Sequence, residues 1–270
     1  MRHRMADSPT HTLIFFDIDA TLIENHFSRR VIVDVLQDVA DETGVSLDEL
    51  GLELGKENYR RQNRAPDDPM TMDWQDIAEA VVKSVGGTLT KNLDELWVAY
   101  TNADEIELLD DSPSVIKKLK APHRKLFIAT KGLSKYQFPI LKAVGLYDLF
   151  DGFLAPDITG LHKATPGYHD QYTRTYPDSL VIQVGDHFVD DVVAPRRNGF
   201  ISILRAPFAE LVKYDAFERP AHLHKVLGQI STYPREGSDV RPHAVVMSLQ
   251  EVPELVDKIE ANPQLVDRDP

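Results

Sequence analysis

Asp17-Ile-Asp-Ala-Thr-Leu22 places two carboxylates two residues apart directly after the apolar run Leu13-Ile-Phe-Phe16. Like charges that close raise each other's pKa unless something positive sits between them. A hard divalent cation such as magnesium meets that need, held by one or two carboxylates together with waters and phosphate oxygens. Alone, the pair reads better as a strand-ending turn with solvated acids. Three further segments add complementary groups. Thr130-Lys131-Gly132 follows a second apolar run and offers a phosphate a hydroxyl, a cation and an unhindered backbone amide. Gly185-Asp-His-Phe-Val-Asp-Asp191 follows a third run and adds carboxylates, and Lys163, within Thr159-Gly-Leu-His-Lys-Ala-Thr-Pro166, can bring an ammonium.

These groups matter only if the elements before them end at one place. The runs at 13–16, 125–130, 180–184, 200–204 and 244–248 are short and continuously apolar, as strands buried on both faces are. Between them lie amphipathic helices: Val115, Ile116 and Leu119 share a face, as do Phe138, Leu141 and Val144, with Gly145 where a helix would stop. Alternating strands and helices predict an α/β fold with a doubly wound parallel sheet, whose ligands bind at the carboxyl ends of the strands. Residues 24–104 break the alternation and read as helices without a convincing strand. Their stripes are Ile32, Leu36 and Val39; Trp74, Ile77, Val81 and Val85; and Leu93, Leu96, Trp97 and Tyr100 behind an Asn92 cap. Asn63-Arg-Ala-Pro-Asp-Asp-Pro69 interrupts them. The expected organisation is a Rossmann-like core over 12–23 and 105–270, a helical insert over 24–104, a loose tail over 1–11, and an irregular excursion over 205–242, where Pro207, Pro220, Pro234 and Pro242 fall. By spacing, Trp74 and Trp97 belong to the core of the insert rather than to a substrate platform.

Composition narrows the function classes. With 270 residues, 42% of them hydrophobic and 27% charged, the chain has the makeup of a soluble globular protein able to bury a substantial core. The formal charge of -13 argues against a broad nucleic-acid footprint but permits a small phosphorylated substrate in a local positive pocket. Zero cysteines exclude thiolate metal sites, disulfides and a cysteine nucleophile. No apolar run approaches the roughly 18 to 20 residues that cross a bilayer. Without an apolar leader at the N-terminus, the default expectation is a cytoplasmic protein without a membrane partner.

In order and spacing, Asp17, Asp19 and Thr21, then Thr130, then Lys163, then Asp186 with Asp191 resemble the four signature motifs of the haloacid dehalogenase-like hydrolases. Asp191-Val-Val-Ala-Pro-Arg-Arg-Asn-Gly-Phe200 resembles the family's continuation into a helix and glycine turn, and the likeness spans residues 12–204. Ala244 to Ile259 resembles its terminal strand and helix. The resemblance implies a phosphatase in which Asp17 attacks phosphorus, Asp19 serves as acid and then base, and Thr130 holds phosphoryl oxygens. Lys131 and Gly132 would add to phosphate binding, and Lys163 would offset negative charge. Magnesium would be held by Asp17, the backbone carbonyl of Asp19, Asp186 and Asp191. The 24–104 insert would be the cap that closes over the site. Asn25, His26, Arg60, Arg61 and Arg64 are its candidates for choosing the substrate, although helical arginines are more often solvated surface. Dehalogenating members usually lack an acid two residues after the nucleophile, so Asp19 favours phosphate chemistry. A phosphotransferase or phosphomutase is the first alternative, followed by a haloacid dehalogenase and a binding protein without turnover. Ala20 stands where glycine is common, Lys131 where asparagine often occurs, and Asp190 where asparagine is frequent, which leaves Asp190 and Asp191 both eligible as the last acidic ligand. His222 and His224 form an H-x-H pair with no legible third ligand, hence a surface pair.

Overall fold

The computed structural model describes residues 9–64, 68–230, 232–234 and 239–266. Residues 1–8 of the expected tail, 65–67 of the expected interruption, 231 and 235–238 of the expected excursion, 267–270 of the expected core, and the side chains of Asn63 and Arg64 lie outside the described residues.

The strands are β1 Thr12–Phe16, β2 Ile23–Asn25, β3 Ile106–Leu108, β4 Arg124–Ala129, β5 Gly152–Leu154, β6 Leu180–Gly185, β7 Ile201–Arg205 and β8 Ala244–Val246. Six form a parallel sheet in the order β5-β4-β1-β6-β7-β8, so the expected α/β architecture is present. β1 is central, and its residues face both layers, since successive side chains alternate. Ile14 and Phe16 join Leu126, Ile128, Ile182 and Val184 on one face, while Leu13 and Phe15 meet Phe127, Ala129 and Tyr168 on the other. Double-sided burial explains why the strand reads as a continuous apolar run. Phe16 pairs with Ile128 and Val184, so the chain leaves β1, β4 and β6 at one edge and at nearly one level.

Three strands were not expected. β5 has three residues, too few for a pattern. β2 and β3 pair antiparallel, Ile23 with Leu108 and Asn25 with Ile106, where the chain leaves the core for the insert and returns from it. Residues 24–104 therefore begin within a strand, contrary to the reading of that stretch as strandless. Beyond it come α1 Ser28–Thr43, α2 Leu47–Arg64, α3 Trp74–Ser84 and α4 Leu93–Tyr100. The Asn92 side chain accepts from Glu95 N and starts α4, satisfying one of the amides a helix N-terminus leaves open. α1 buries Val31, Val35, Leu36 and Val39 and leaves Ile32 half-buried, so its stripe is centred slightly away from the expected one. In the core, α5 Ser112–Leu119 buries Val115, Ile116 and Leu119, and α6 Ser134–Ala143 precedes Gly145 at φ 70°, a backbone state that suits glycine.

Residues 205–242 are less irregular than expected. Short helical turns at Ala209–Leu211, Arg219–His222, Leu223–Lys225 and Leu227–Gln229 pack Leu211, Leu223, Val226 and Ile230 against Phe188, Val192, Leu204 and Val245 as a second apolar cluster. Prolines keep the turns short while apolar residues still find a common side. No described helix is long and apolar enough to cross a membrane.

Candidate active site

Asp17 follows β1 directly, and its amide donates to Val184 O at 2.9 Å, continuing the sheet by one residue. Lys163, 146 residues away in sequence, places Nζ 2.7 Å from Asp17 Oδ1 and 2.7 Å from Asp191 Oδ1, with 2% of its surface exposed. Burial would depress this ammonium, but the charges of Asp17 and Asp191 outweigh it and hold it above the ordinary lysine value.

Asp191 is fully buried. Besides Lys163, it accepts from Gln183 Nε2 at 2.9 Å and His187 N at 3.0 Å. Burial presses its carboxyl upward and Lys163 opposes that. Two local features let it fit. Gly185 lacks the Cβ that would overlap the Asp191 carboxylate, and Phe188–Val193 forms a π-helical turn leading into Ala194–Arg197. Pro195, which lacks an amide proton, lies just past that turn; widened turns of this kind gather at functional sites.

Asp186 follows β6 and accepts from Thr21 Oγ1 at 3.4 Å. Burial, then the charge of Asp17, raises its carboxyl to about 7. One oxygen each from Asp17, Asp186 and Asp191 lie within 4.8 Å of one another. Three hard oxygen donors in a crowded, partly buried acidic cluster fit a magnesium-sized cation. Asp190 stands outside this group: its Oδ2 is 3.8 Å from Lys131 Nζ and 3.2 Å from His187 Nδ1. The geometry thus distinguishes the two adjacent aspartates, with Asp191 beside Lys163 and Asp190 turned to Lys131.

Asp19 is exposed onto the cleft that it shares with residues of the insert. Its Oδ2 accepts from Gln137 Nε2 at 2.7 Å. Burial, with the Asp17 charge adding, raises it to about 6. Thr130 follows β4 and its Oγ1 accepts from Gly132 N at 3.1 Å, while its carbonyl accepts from Tyr168 OH at 2.6 Å. The Gly132 amide expected for phosphate is therefore engaged with Thr130. Glycine is needed here for another reason, because a Cβ would come within 2.5 Å of Gln137 Nε2.

A cleft of about 500 Å³ joins these groups, with Asp17, Asp19 and Thr130 on its floor and residues of the insert above. Of the insert candidates, Asn25 lines it. His26 instead meets Glu107, Arg60 pairs with Glu57, and Arg61 pairs with Glu57 and Asp76 on the outer surface. Trp97 is buried with Nε1 donating to Tyr136 O, as a core residue should be, but Trp74 is half-buried, and both reach the cleft wall. His222 stacks on Tyr214 at 3.5 Å, away from any carboxylate cluster of the described residues. Gln137, Gln183 and His169 were missed. His169 Nε2 lies 3.3 Å from Gln183 Oε1, and burial lowers its ring to about 4, so a neutral histidine backs the glutamine that holds Asp191. A glutamine inside the apolar run of β6 was the one available signal, since a buried amide must find partners.

A family model described as haloacid dehalogenase-like hydrolase matches residues 11–199. The chain belongs to the haloacid dehalogenase-like hydrolases. No curated protein matches its sequence. Among solved structures, the HAD phosphatase of Thermococcus onnurineus is 19% identical with a TM-score of 0.65, over 91% of this chain and 97% of that one. The HAD hydrolase YfnB of Bacillus subtilis, solved bound to magnesium, is 17% identical with a TM-score of 0.61, over 92% and 99%. The L-2-haloacid dehalogenase of Xanthobacter autotrophicus is 17% identical with a TM-score of 0.58, over 92% and 99%. The haloacid dehalogenase-like fold is thus shared with a protein named as a phosphatase and one named as a dehalogenase.

Proposed function

We propose that this hydrolase is a magnesium-dependent phosphomonoesterase that forms an aspartyl-phosphate on Asp17. The observation that carries the reading is Asp19: a second carboxyl facing the cleft, gripped by Gln137 and raised to about 6, so that both protonation states are accessible near neutral pH. An alkoxide leaving group needs a proton; a halide does not.

In the first step a carboxylate oxygen of Asp17 attacks phosphorus, the ester P–O bond breaks, and the leaving oxygen takes the Asp19 proton. In the second, Asp19 takes a proton from water as it attacks the phosphoryl group, which releases phosphate and restores Asp17. Lys163 fixes Asp17 Oδ1 at 2.7 Å, leaving Oδ2 for the attack, and its charge lets a carboxylate approach a phosphate. Because Thr130 Oγ1 already accepts from Gly132 N, its own proton is left to donate to a phosphoryl oxygen. Asp17, Asp186, Asp191 and the Asp19 backbone carbonyl would hold magnesium, which when bound neutralises charge on the transferring group.

A panel of phosphate esters assayed with magnesium tests this. Wild type is expected to release phosphate, and Asp17→Asn to lose about 10⁴-fold of the rate. Halide release from 2-haloacids without phosphate release from esters would overturn the reading. Phosphate that appears only on an added acceptor alcohol would make the enzyme a transferase.

A further inference from the structure

Once the strand ends hold the phosphoryl group, the alcohol of the ester faces the other half of the cleft. That half is mostly apolar: Ile32 of α1, Met72, Trp74 of α3, and Leu93 and Trp97 of α4 line it, with Asn25 of β2 and Ser28 of α1 as its uncharged polar members. The single charge that β2 and the insert helices add to the lining is Glu24 of β2. Its side chain is exposed, and its carboxylate makes no hydrogen bond or ion pair among the described residues.

Cations are confined to the floor. Lys163 is held by Asp17 and Asp191, and Lys131 stands beside Asp190. No arginine of the described residues lines the cleft. Arg30 is engaged by Glu105 and lies over Tyr100, and Arg61 by Glu57 and Asp76.

Resting on the phosphomonoesterase reading, we propose that the substrate is the phosphate monoester of an alcohol with an apolar body and no negative charge, and that Glu24 receives a cationic group on that alcohol. A second anion would be desolvated against Ile32, Met72 and Leu93 and repelled by Glu24. A polyol would leave hydroxyls unpaired where Ile32, Met72 and Leu93 face it. A ring or short alkyl chain loses nothing there, and an ammonium gains a partner. A cleft of about 500 Å³ is large enough for such an alcohol beside the phosphate.

Three aryl phosphates vary the charge on the alcohol, and the change in their ratio on Glu24→Gln separates its recognition from leaving-group acidity: 4-(aminomethyl)phenyl, 4-methylphenyl and 4-(carboxymethyl)phenyl phosphate, each assayed for kcat/KM with magnesium. The aminomethyl ester is expected to exceed the carboxymethyl ester at least about tenfold with the methyl ester between them, a separation typical of pocket discrimination. Glu24→Gln should narrow that ratio at least about threefold, the scale of one partly solvated charge pair. Among ethyl, butyl and hexyl phosphate, kcat/KM should rise about two- to fourfold per methylene. An equal or reversed order of the aryl esters, a ratio indifferent to Glu24→Gln, or a flat alkyl series would overturn this inference while leaving the phosphatase intact. Release no faster than by Asp17→Asn, from every ester, would overturn the phosphatase reading and this inference with it.

Discussion

Two buried cations, each between two carboxylates, sit at opposite edges of the same sheet and behave differently. At the amino edge, Arg124 opens β4 and donates through Nε and Nη2 to Glu260 at 2.9 and 2.6 Å, and through Nη2 to Asp257 at 2.5 Å. Burial would raise the Glu260 carboxyl, but the Arg124 donors outweigh it and lower it to about 2. The guanidinium fork matches its carboxylates and the charges there are settled. At the carboxyl edge, Lys163 lies between Asp17 and Asp191, but Asp19 and Asp186 crowd the same space and are raised to about 6 and 7. An edge with matched charges ties the terminal helix to the sheet. An edge with surplus acid is held out of balance by the fold, and a cation and a phosphoryl group are what would relieve it.

The strongest way to break this comparison is to remove the central cation. Lys163→Met leaves Asp17 and Asp191 facing each other in the interior, so it should lower unfolding free energy by about 3 kcal/mol and abolish measurable turnover. Urea melts and a phosphate assay check both. A variant that stays stable and active would show that the carboxyl edge never needed its ammonium.

Cation binding should come next in size. Saturating magnesium at about 100 times its dissociation constant adds about 2.7 kcal/mol to a fold that binds it only when native. The wild-type melting temperature should rise accordingly, and Asp186→Asn should lose most of the rise. An equal rise in both proteins would place the cation elsewhere.

The two edges should also respond to pH with opposite sign. Glu260 has a folded pKa near 2 against an ordinary 4.5, so its contribution is present above pH 4.5 and lost as pH falls toward 2. Asp186 is raised from 3.8 to about 7, so the magnesium-free fold loses stability as pH climbs through that window. Glu260→Gln should flatten the acid limb of a stability profile and Asp186→Asn the limb between pH 4 and 7. Matching profiles for the two variants would erase the distinction.

The smallest effect concerns backbone strain at the carboxyl edge. Ala20 has φ 55°, and its carbonyl accepts from Arg205 Nη1 at 3.0 Å. Ala20→Gly trades a left-handed alanine for a more flexible unfolded chain, and a net stabilisation of no more than about 1 kcal/mol is expected by denaturant titration.

Much of this was legible beforehand. The apolar runs marked β1, β4, β6, β7 and β8 because strands buried on both faces have no polar side to hide the pattern. The residues just beyond them, Asp17, Thr130 and Asp186, could then be placed at one edge. Gly152-Phe-Leu154 was too short to announce β5, and the β2–β3 pair depends on partners more than 80 residues apart. Gln137 looked like one more polar residue on a helix. Its role at Asp19 arises from where α6 lies against the cleft, which its neighbours in sequence do not encode.

By itself the sequence determined the alternation of elements and the order of chemical groups along the chain, because both follow from local periodicity and residue type. Tertiary structure alone decided that Lys163 crosses 146 positions to stand between Asp17 and Asp191, that Asp191 rather than Asp190 joins the acidic cluster, and that Glu24 lines one cleft with Ile32, Trp74 and Trp97. Each depends on distances between segments that share no local pattern, and charge, desolvation and hydrogen bonding act through those distances.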